Sequence, residues 1–224
     1  MKQIFVVGLN YKTAPLAIRE QFAVPTAERA EVASDMRSKG LLSEVVILWT
    51  CNRVEIYGVS EGAQPNPEAL MRCLVDKPLP KGSELYCHQG VAAVRHLFSV
   101  ASGMDSMVLG ETEITGQAKN AYEKARMAGF TGKRLNRLFQ KAFETAKEIR
   151  ATTAIGSGNA SVGSVAVQHA QKIFGSSLTG RRVMVIGAGN MAEKCLRHLV
   201  KKGIESITIV NRSLDKAESL VSIF

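Results

Sequence analysis

Residues 45–59 read VVILW-TCNR-VEIYGV, two apolar segments separated by four residues with polar or reactive side chains. The first segment, Val45–Trp49, has the length and the β-branched content of a buried strand. In the second segment, Val54–Val59, apolar and polar residues alternate, which is typical of a half-buried strand. The stretch therefore predicts a pair of strands with Cys51 at the rim of their sheet.

Cys51 lies beside an amide, Asn52, and a fixed cation, Arg53. The thiolate is the reactive form of cysteine, and a neighbouring positive charge lowers the pKa of a thiol. A cysteine next to an apolar run also suits a small buried side chain without any chemistry. The hexapeptide Thr50–Glu55 alone leaves both interpretations open.

The composition indicates a soluble globular protein. The chain has 224 residues, 46% of them hydrophobic and 22% charged, which is enough for one large or two ordinary domains. No apolar stretch approaches the length of a membrane span, and the short run at 1–8 is better explained as a first strand than as a secretory leader. The four cysteines form no Cys-x-x-Cys pair. We therefore expect a cytoplasmic location and neither a metal site nor a disulfide framework.

Positive charge is concentrated in one segment of the chain. The net charge is +9, and residues 119–150 contain nine Lys or Arg against three Glu. Basic residues clustered on helices suit a phosphate backbone, but charge alone favours the plainer interpretation of a solvated helix face. Aromatic residues are not interleaved as in RNA-binding modules. Any contact with nucleic acid is therefore expected to involve backbone and shape.

The apolar spacing predicts helices at 26–38, 67–74, 91–101, 113–128 and 133–150. Thr26 is the expected N-cap of the first of these helices. The segment 151–161 is rich in Gly, Ser and Thr and is interpreted as a hinge. We place the domain boundary there, which gives domains at 1–155 and 156–224.

The second domain begins with an expected helix at 162–174 and continues with a strand at 181–186. That strand leads into the sequence Gly187-Ala188-Gly189-Asn190-Met191-Ala192, which opens a helix ending near Lys202. Gly-x-Gly-x-x-Ala between a strand and a helix is typical of a dinucleotide-binding turn, because the glycines allow a tight turn and a close approach of pyrophosphate. The helix N-terminus then offers amides to the phosphates.

The next strand, 206–210, ends in Asn211-Arg212-Ser213. NAD-binding enzymes carry an acidic residue at this position for the ribose hydroxyl, whereas Arg212 suits a 2′-phosphate. The pattern therefore favours NADP over NAD. The sequence stops at Phe224 after two parallel strands, so we expect an α/β unit that is an incomplete Rossmann domain, of low stability alone.

Several motifs together resemble the glutamyl-tRNA reductase family. They are Thr50-Cys51-Asn52-Arg53-x-Glu55, Gly8-Leu9-Asn10-Tyr11-Lys12-Thr13-Ala14-Pro15, His96-Leu97-Phe98, Ala101-Ser102-Gly103-Met104-Asp105-Ser106, Leu109-Gly110-Glu111, Gly116-Gln117, the nucleotide turn and Asn211-Arg212. The resemblance runs from residue 4 to about 220 with natural spacing. It implies an N-terminal α+β catalytic domain followed by an incomplete Rossmann-like NADPH-binding domain.

The resemblance also implies an activity. The family reduces glutamyl-tRNA(Glu) to glutamate-1-semialdehyde with NADPH, which is the first step of tetrapyrrole (porphyrin) biosynthesis. A cysteine attacks the ester that links glutamate to the tRNA, and the thioester then accepts hydride. The downstream glutamate-1-semialdehyde aminomutase is a possible partner. The family dimerises through a later helical region that is absent from this sequence.

Residue roles follow from the same resemblance. Cys51 is the expected nucleophile and His96 the expected histidine near the thioester. Arg53 would bind the glutamate carboxylate, and the other expected substrate contacts are Thr50, Asn52, Ser106, Glu111, Thr112, Glu113 and Gln117. The expected cofactor contacts are Gly187, Ala188, Gly189, Asn190, Met191, Ala192, Asn211, Arg212 and Ser213. Thr112-Glu113 stands where the family commonly has Pro-Gln, which puts the role of Glu113 in question. The remaining cysteines and histidines are interpreted as structural.

Two other functions fit parts of the sequence. One is an NADP-dependent dehydrogenase of the shikimate type, which shares the nucleotide turn and Asn-Arg but needs no reactive cysteine. The other is a truncated, non-enzymatic relative that binds charged tRNA or a partner protein. Both explain fewer of the motifs.

Overall fold

The computed structural model describes residues 2–22, 28–61, 66–75, 84–156 and 162–224. The chain divides into two compact units, Met1–Ser157 and Gly158–Phe224. The first unit mixes an antiparallel sheet with helices, and the second has a parallel strand pair with helices. The expected fold class, an α+β unit followed by part of a Rossmann-like unit, is confirmed.

The first unit is built on a four-stranded antiparallel sheet in the order β2-β3-β1-β4. Its strands are β1 (Lys2–Asn10), β2 (Glu44–Trp49), β3 (Arg53–Glu61) and β4 (Tyr86–Gln89). The strand pair expected at 45–59 forms the β2–β3 hairpin. The short strand β4 was not predicted, because Tyr-Cys-His-Gln has neither an apolar run nor a clear alternation.

The helices of the first unit are α1 (Leu16–Arg19), α2 (Arg29–Ser38), α3 (Pro67–Arg72), α4 (Val91–Ala101), α5 (Glu113–Met127) and α6 (Lys133–Thr152), with 3₁₀ turns at Glu20–Phe22 and Ala154–Gly156. The predicted bounds of α4 are confirmed, and α5 and α6 end within two residues of the predicted positions. The expected start of α2 at Thr26 and much of the expected hinge at 151–161 lie outside the described residues.

Helices cover both faces of this sheet. One apolar cluster joins Val6, Val46, Tyr57 and Val59 to side chains of α4, α5 and α6. The other joins the opposite faces of the strands to side chains that include those of α2 and α3. All of β3 except Glu61 is therefore buried. The expectation that Val54–Val59 is half-buried was wrong, because its polar residues face a helical layer and not solvent.

The second unit contains two parallel strands, β5 (Arg182–Ile186) and β6 (Ser206–Val210), paired in register from Arg182↔Ser206 to Ile186↔Val210. Its helices are α7 (Val162–Phe174), α8 (Asn190–Val200) and α9 (Leu214–Val221). The predicted bounds of α7 and β6 are confirmed, and the helix expected to reach Lys202 ends at Val200. A small core of six buried side chains, among them Leu196 and Leu220, holds this unit together in its described part.

Candidate active site

Cys51 is exposed at the tip of the β2–β3 hairpin. The amide of Thr50 donates to the carbonyl of Arg53 at 2.8 Å, which leaves Cys51 and Asn52 as a two-residue loop. The Thr50 side-chain oxygen accepts hydrogen bonds from the amides of Asn52 and Arg53, at 3.2 and 3.1 Å. The carbonyl of Asn52 accepts from the amide of Tyr11 at 2.9 Å. The loop that carries the thiol is thus fixed on both sides.

Three residues beyond the hairpin loop, three strands place one row of residues on the same sheet face. Glu55 of β3 pairs with Gly8 of β1, and Gly8 pairs with Tyr86 of β4. A Cβ atom on Gly8 would collide with the carbonyl of Val54 and lie 2.8 Å from Cγ of Glu55. The glycine therefore gives the Glu55 side chain room to extend under Tyr86.

The Glu55 carboxylate is fully buried and accepts four hydrogen bonds. Arg53 Nη1 and His96 Nε2 each lie 2.8 Å from its Oε1. The hydroxyl of Tyr86 donates to the same oxygen at 2.5 Å, and the hydroxyl of Tyr57 donates to Oε2 at 2.6 Å. Since charged hydrogen bonds compensate the loss of hydration, this carboxylate can stay ionised inside the protein.

Ionisation in this cluster follows from its charges. Burial by itself raises the pKa of Glu55, but the Arg53 charge and the hydrogen bonds from His96 and Tyr57 outweigh burial and hold that pKa well below its usual range. Burial and the negative charge of Glu55 raise the pKa of Tyr57 and of Tyr86 well above the usual value. Both phenols therefore remain protonated and serve as donors.

The contact with Glu55 fixes the proton of His96. An ionised carboxylate only accepts hydrogen bonds, so Nε2 of His96 carries a hydrogen and Nδ1 is the free acceptor in the neutral ring. The ring comes from α4 and its side chain is 12% exposed. Within the described part of the chain, no hydrogen bond joins His96 to Cys51. The histidine is accordingly oriented by Glu55 and not by the thiol.

Arg53 reaches from β3 to the loop between α4 and α5. Its guanidinium donates to the carboxylate of Asp105 from Nη1 and Nη2, at 3.3 Å each, and to the carbonyl of Asp105 from Nη2. Asp105 also binds the ammonium group of Lys12. Burial raises the pKa of Asp105, but the hydrogen bond from Lys12 and the Arg53 charge lower it by more. The cation expected to bind substrate is thus 98% buried as a side chain and already paired.

Two glycines fix the α4–α5 loop, residues 102–112. Gly103 and Gly110 have φ angles of +74° and +79°, and the amide of Gly110 donates to the carbonyl of Gly103 at 2.9 Å. A Cβ atom on Gly103 would lie 2.6 Å from the carbonyl oxygen of Glu111. The loop is therefore closed at its base, and Asp105 and half-buried Ser106 lie within it.

The remaining expected substrate contacts lie where α5 begins. Glu111 Oε2 accepts from the amide of Ile114 at 3.2 Å, so its carboxylate caps the first turn. Thr112 and Gln117 are exposed and Glu113 is half-buried. The structure thus places Arg53 and His96 in one network, with Ser106 next to Asp105 of that network. It places Glu111, Thr112, Glu113 and Gln117 together at the helix start.

A cleft of about 770 Å³ lies between β4, α4 and the Asp105 loop. Its lining includes Lys12, His88, Arg95, His96 and Asp105. The ring of His88 stacks on Tyr86 with 5.3 Å between centroids and lies 5.1 Å from the ring of His96. Burial and the neighbouring His96 lower the pKa of His88. A cleft of this size with convergent cations suits a small anionic ligand.

Sequence reasoning missed the roles of Glu55, Tyr57, Tyr86, Asp105 and Lys12 in this network. A usable signal was present in β3, where Arg53, Glu55 and Tyr57 alternate with apolar residues and therefore share one face. The contributions of Tyr86 and Asp105 depend on contacts 31 and 52 residues away in the chain. No local pattern indicates those contacts.

The nucleotide turn of the second unit has the geometry that its sequence predicts. Gly187 has a φ of +107°, and its amide donates to the carbonyl of Val210 at 2.7 Å. A Cβ atom at Gly187 or Gly189 would have no described atom within 4 Å, so the space beside both glycines is open. Gly189 precedes α8 without a side-chain cap. These features fit a pyrophosphate at the N-terminus of α8.

Asn211 ties this turn to the end of β6. Its Oδ1 accepts from the amide of Ala188 at 3.3 Å, and its Nδ2 donates to the carbonyl of Ser213 at 2.8 Å. Arg212 is exposed beside it. The amide of Ala188 is therefore engaged within the protein, while the Arg212 side chain has no ion pair with any described residue.

The described residues contain neither a membrane-spanning helix nor a cluster of metal-ligating side chains. In the described part of the chain, no helix is both long and apolar enough to cross a membrane. No group of three or more His, Cys, Asp or Glu side chains in those ranges is arranged to hold a metal ion.

Comparison with known proteins identifies the family. A family model described as "Glutamyl-tRNAGlu reductase, N-terminal domain" matches residues 7–153. The chain belongs to the glutamyl-tRNA reductase family. A second model, "Shikimate / quinate 5-dehydrogenase", matches residues 168–224. The resemblance expected from the sequence motifs is confirmed.

Individual relatives of the glutamyl-tRNA reductase family match nearly the whole chain. A glutamyl-tRNA reductase of Akkermansia muciniphila is 45% identical over 217 residues, which are 96% of this chain and 64% of that protein. One of Desulfotalea psychrophila is 41% identical over 226 residues, covering 100% of this chain and 53% of that protein. The solved glutamyl-tRNA reductase of Methanopyrus kandleri matches with a TM-score of 0.66 and 34% identity, over 98% of this chain and 52% of that one. The chain thus spans about half to two thirds of the length of these relatives.

Proposed function

We propose that this chain carries out the NADPH-dependent reduction of glutamyl-tRNA(Glu) to glutamate-1-semialdehyde through a thioester on Cys51. The observation that carries the proposal is the exposed Cys51 thiol on a fixed two-residue loop, at the start of the strand that holds the Arg53–Glu55–His96 network. Membership of the glutamyl-tRNA reductase family supports it. The product enters tetrapyrrole biosynthesis.

Cys51 performs the acyl transfer. Its thiolate attacks the ester carbonyl carbon, a C–S bond forms, and the C–O bond to the terminal ribose breaks. The ribose oxygen takes up a proton and the free tRNA leaves. The exposed loop gives the sulfur access to a large substrate, and the hydrogen bonds to Thr50 and Tyr11 hold it in one position.

His96 positions the acyl group and exchanges a proton with its oxygen. Because Glu55 holds Nε2–H, the other ring nitrogen, Nδ1, is the atom available to substrate. Glu55 is ionised and buried, so it accepts this hydrogen bond and keeps the ring in one orientation. The arrangement is a carboxylate–histidine pair in which the carboxylate fixes the tautomer.

Arg53 binds the glutamate side-chain carboxylate in this proposal. Asp105 occupies the Nη1 and Nη2 donors of Arg53, so the substrate carboxylate has to replace Asp105 at those donors. Lys12 can retain Asp105 during this exchange. Thr50, Asn52, Ser106, Glu111, Thr112, Glu113 and Gln117 contribute the remaining contacts with the aminoacyl end.

The second unit binds the cofactor in this proposal. The open space at Gly187 and Gly189 and the uncapped start of α8, with Asn190, Met191 and Ala192, would accept the pyrophosphate. Exposed Arg212 would pair with a 2′-phosphate, which is the feature that favours NADPH over NADH. Ala188 would support the shape of the turn, since its amide donates to Asn211. Ser213 would lie beside the cofactor at the residue that precedes α9. When bound, NADPH supplies the hydride that converts the thioester to the aldehyde and releases the thiolate of Cys51.

The match of residues 168–224 to shikimate / quinate 5-dehydrogenase favours a second candidate, an oxidoreductase acting on a small hydroxy acid. That function leaves the Cys51 loop and the Glu55 network without a role. A tRNA-binding relative that performs no chemistry is the third candidate. One experiment with cysteine variants distinguishes these two candidates from the main proposal.

The test uses tRNA(Glu) charged with radiolabelled glutamate and no NADPH. We expect the label to appear on the protein in a thiol-sensitive bond, to be absent from Cys51→Ser, and to persist in Cys195→Ser. Cys195 is a matched control because it is a half-buried thiol whose pKa is raised by burial. Adding NADPH should release the label as an aldehyde, and NADH should do so more slowly. Turnover by Cys51→Ser, or oxidation of shikimate by the wild type, would refute the proposal.

A further inference from the structure

A cationic groove lies along one flank of α4, and the cleft that contains His96 lies along the other. Lys133, Arg134, Arg137 and Lys141 of α6 line it together with an apolar floor of Ile4, Val94, Phe98 and Leu138. We call it the α4–α6 groove. Its volume is about 500 Å³, and among the described residues that line it there is no carboxylate. Four positive charges around an apolar floor form a site for an anionic ligand.

The cations of the groove are available for binding. Within the described part of the chain, the side chains of Lys133, Arg134 and Arg137 make no ion pair, and Lys141 pairs with exposed Glu144 at 2.9 Å. Two exposed arginines on other helices are paired along their own helix, Arg126 with Glu123 and Arg197 with Glu193. Three of the four cations of the groove therefore have no ion-pair partner among the described residues.

This arrangement is unfavourable for the helix itself. Arg137 and Lys141 are like charges at i and i+4, which repel each other on a helix surface. Lys133 and Arg134 lie in the first turn of α6, where the helix dipole favours anions. The Glu44 carboxylate accepts hydrogen bonds from three backbone amides at the helix start and offsets the positive charge there. The repulsion between Arg137 and its like-charged neighbours along the helix remains, and an anionic ligand would relieve it.

The groove is adjacent to the cleft that contains His96. Val94 and Phe98 of α4 line the groove, whereas Arg95 and Ser99 of the same helix line the cleft. Exposed Arg95 lies between the two flanks and continues the positive charge from one to the other. Arg134 and Lys141 are seven residues apart, about 10 Å along α6. A chain of phosphates lying along the groove can therefore reach the cleft with its end.

We propose that the α4–α6 groove binds the phosphates of the acceptor end of the tRNA. The proposal rests on the proposed function, since that function makes an RNA the carrier of the acyl group. The cations contact phosphates without reading bases, and the apolar floor with Phe98 supports riboses and bases of the single-stranded end. The groove therefore contributes affinity and aims the ester at the cleft.

The test compares two variants that remove equal charge from the same segment. Arg134→Gln/Arg137→Gln alters the groove, and Lys119→Gln/Lys147→Gln alters exposed residues that line a separate surface depression between α5 and α6. Binding of fluorescent, uncharged tRNA(Glu) is measured by anisotropy over a range of salt concentrations. We expect the groove variant to bind roughly tenfold more weakly, with a salt slope smaller by about 1.5. We expect the control variant to change the affinity less than twofold.

A second measurement separates this proposal from the proposed function. Acylation of Cys51 by 3′-glutamyl-adenosine, which lacks phosphates, is followed by mass spectrometry. We expect this short ester to acylate the groove variant and the wild type at the same rate. Charged tRNA should acylate the groove variant more slowly than the wild type. Weakened RNA binding by the groove variant supports the groove even if the wild type transfers no acyl group, in which case only the proposed function fails.

Three results would overturn the groove proposal. One is unchanged tRNA affinity of the groove variant, and another is an equal loss in the control variant, because binding would then be diffuse. The third is a preference for a poly-glutamate peptide or for anionic vesicles over tRNA. Such a preference would assign the groove to an acidic protein or a membrane surface.

Discussion

Glu55 joins more groups of the site than any other described residue. Its carboxylate links β3 to β4 through Tyr86 and to α4 through His96, and it neutralises Arg53. Removal of one partner from a buried ion pair leaves the other charge without compensation. A single neutral substitution at Glu55 therefore tests both the stability of the unit and the orientation of the histidine.

Glu55→Gln is expected to lower the free energy of unfolding by about 3 kcal/mol at neutral pH, because buried Arg53 loses its fully buried counter-charge and keeps only the partly exposed carboxylate of Asp105. The pKa of Glu55 is lower in the folded than in the unfolded protein, so its contribution is complete above the unfolded pKa of about 4.3 and is lost as the pH falls further. The difference between wild type and variant should therefore shrink below about pH 4. Urea unfolding at several pH values measures it.

Glu123→Gln serves as the control for that substitution. Glu123 pairs with Arg126 on the surface of α5, where both side chains are substantially exposed. Surface pairs contribute at most about 1 kcal/mol. An effect of Glu55→Gln no larger than that of the control, or one that does not depend on pH, would contradict the assignment of an ionised Glu55.

Strand β1 is the element that makes room for the network. Gly8 lies between Glu55 and Tyr86 in the sheet, and a methyl group there would press on the backbone of β3. Gly116, an exposed residue near the start of α5, has no described atom within 4 Å of an added Cβ. The two glycines therefore respond to the same substitution in opposite ways.

Gly8→Ala is expected to destabilise the protein by roughly 1–3 kcal/mol through overpacking, since β3 cannot move away from a covered sheet. Gly116→Ala is expected to stabilise it by about 0.5–1 kcal/mol, because alanine favours the helix. Both shifts are measured by chemical unfolding of the two variants beside the wild type. A neutral or stabilising Gly8→Ala would show that Glu55 does not need the space.

The predictability of each element depends on how local its signal is. Helix α6 was predicted because Leu135, Phe139, Ala142 and Ala146 repeat at helical spacing on one buried face. The burial of Glu55 could not be predicted, because alternating charges in a strand normally indicate solvent. The polar side chains of β3 are shielded from solvent only because α4 packs against that face of the sheet. The roles of Cys51 and His96 came from the family resemblance, while their supporting contacts required the fold.

At the scale of the whole molecule, the two units have separate cores of different size. The first has two clusters of buried side chains, one on each face of its sheet, whereas the second has a single small cluster in its described part. Met184 and Ile186 of β5 are 65% and 82% exposed. Since stability follows buried apolar area, the second unit should be the weaker one.

We therefore expect unfolding in two steps. The single tryptophan, Trp49, lies in β2 of the first unit, so its fluorescence reports on that unit alone, whereas far-ultraviolet circular dichroism reports on the helices of both. The dichroism signal should begin to fall at a lower urea concentration than the fluorescence changes. Coincident curves from the two probes would indicate that the units unfold together.

The row formed by Glu55, Gly8 and Tyr86 also influences the register in which the strands pair during folding. If β1 slid by one position, Val7 or Leu9 would come between β3 and β4, and an aliphatic side chain would cover a charge that needs donors. Misaligned pairings are thereby penalised at the spot where chemistry is proposed to occur. The buried Glu55 network thus favours the correct register of the sheet on which it is built.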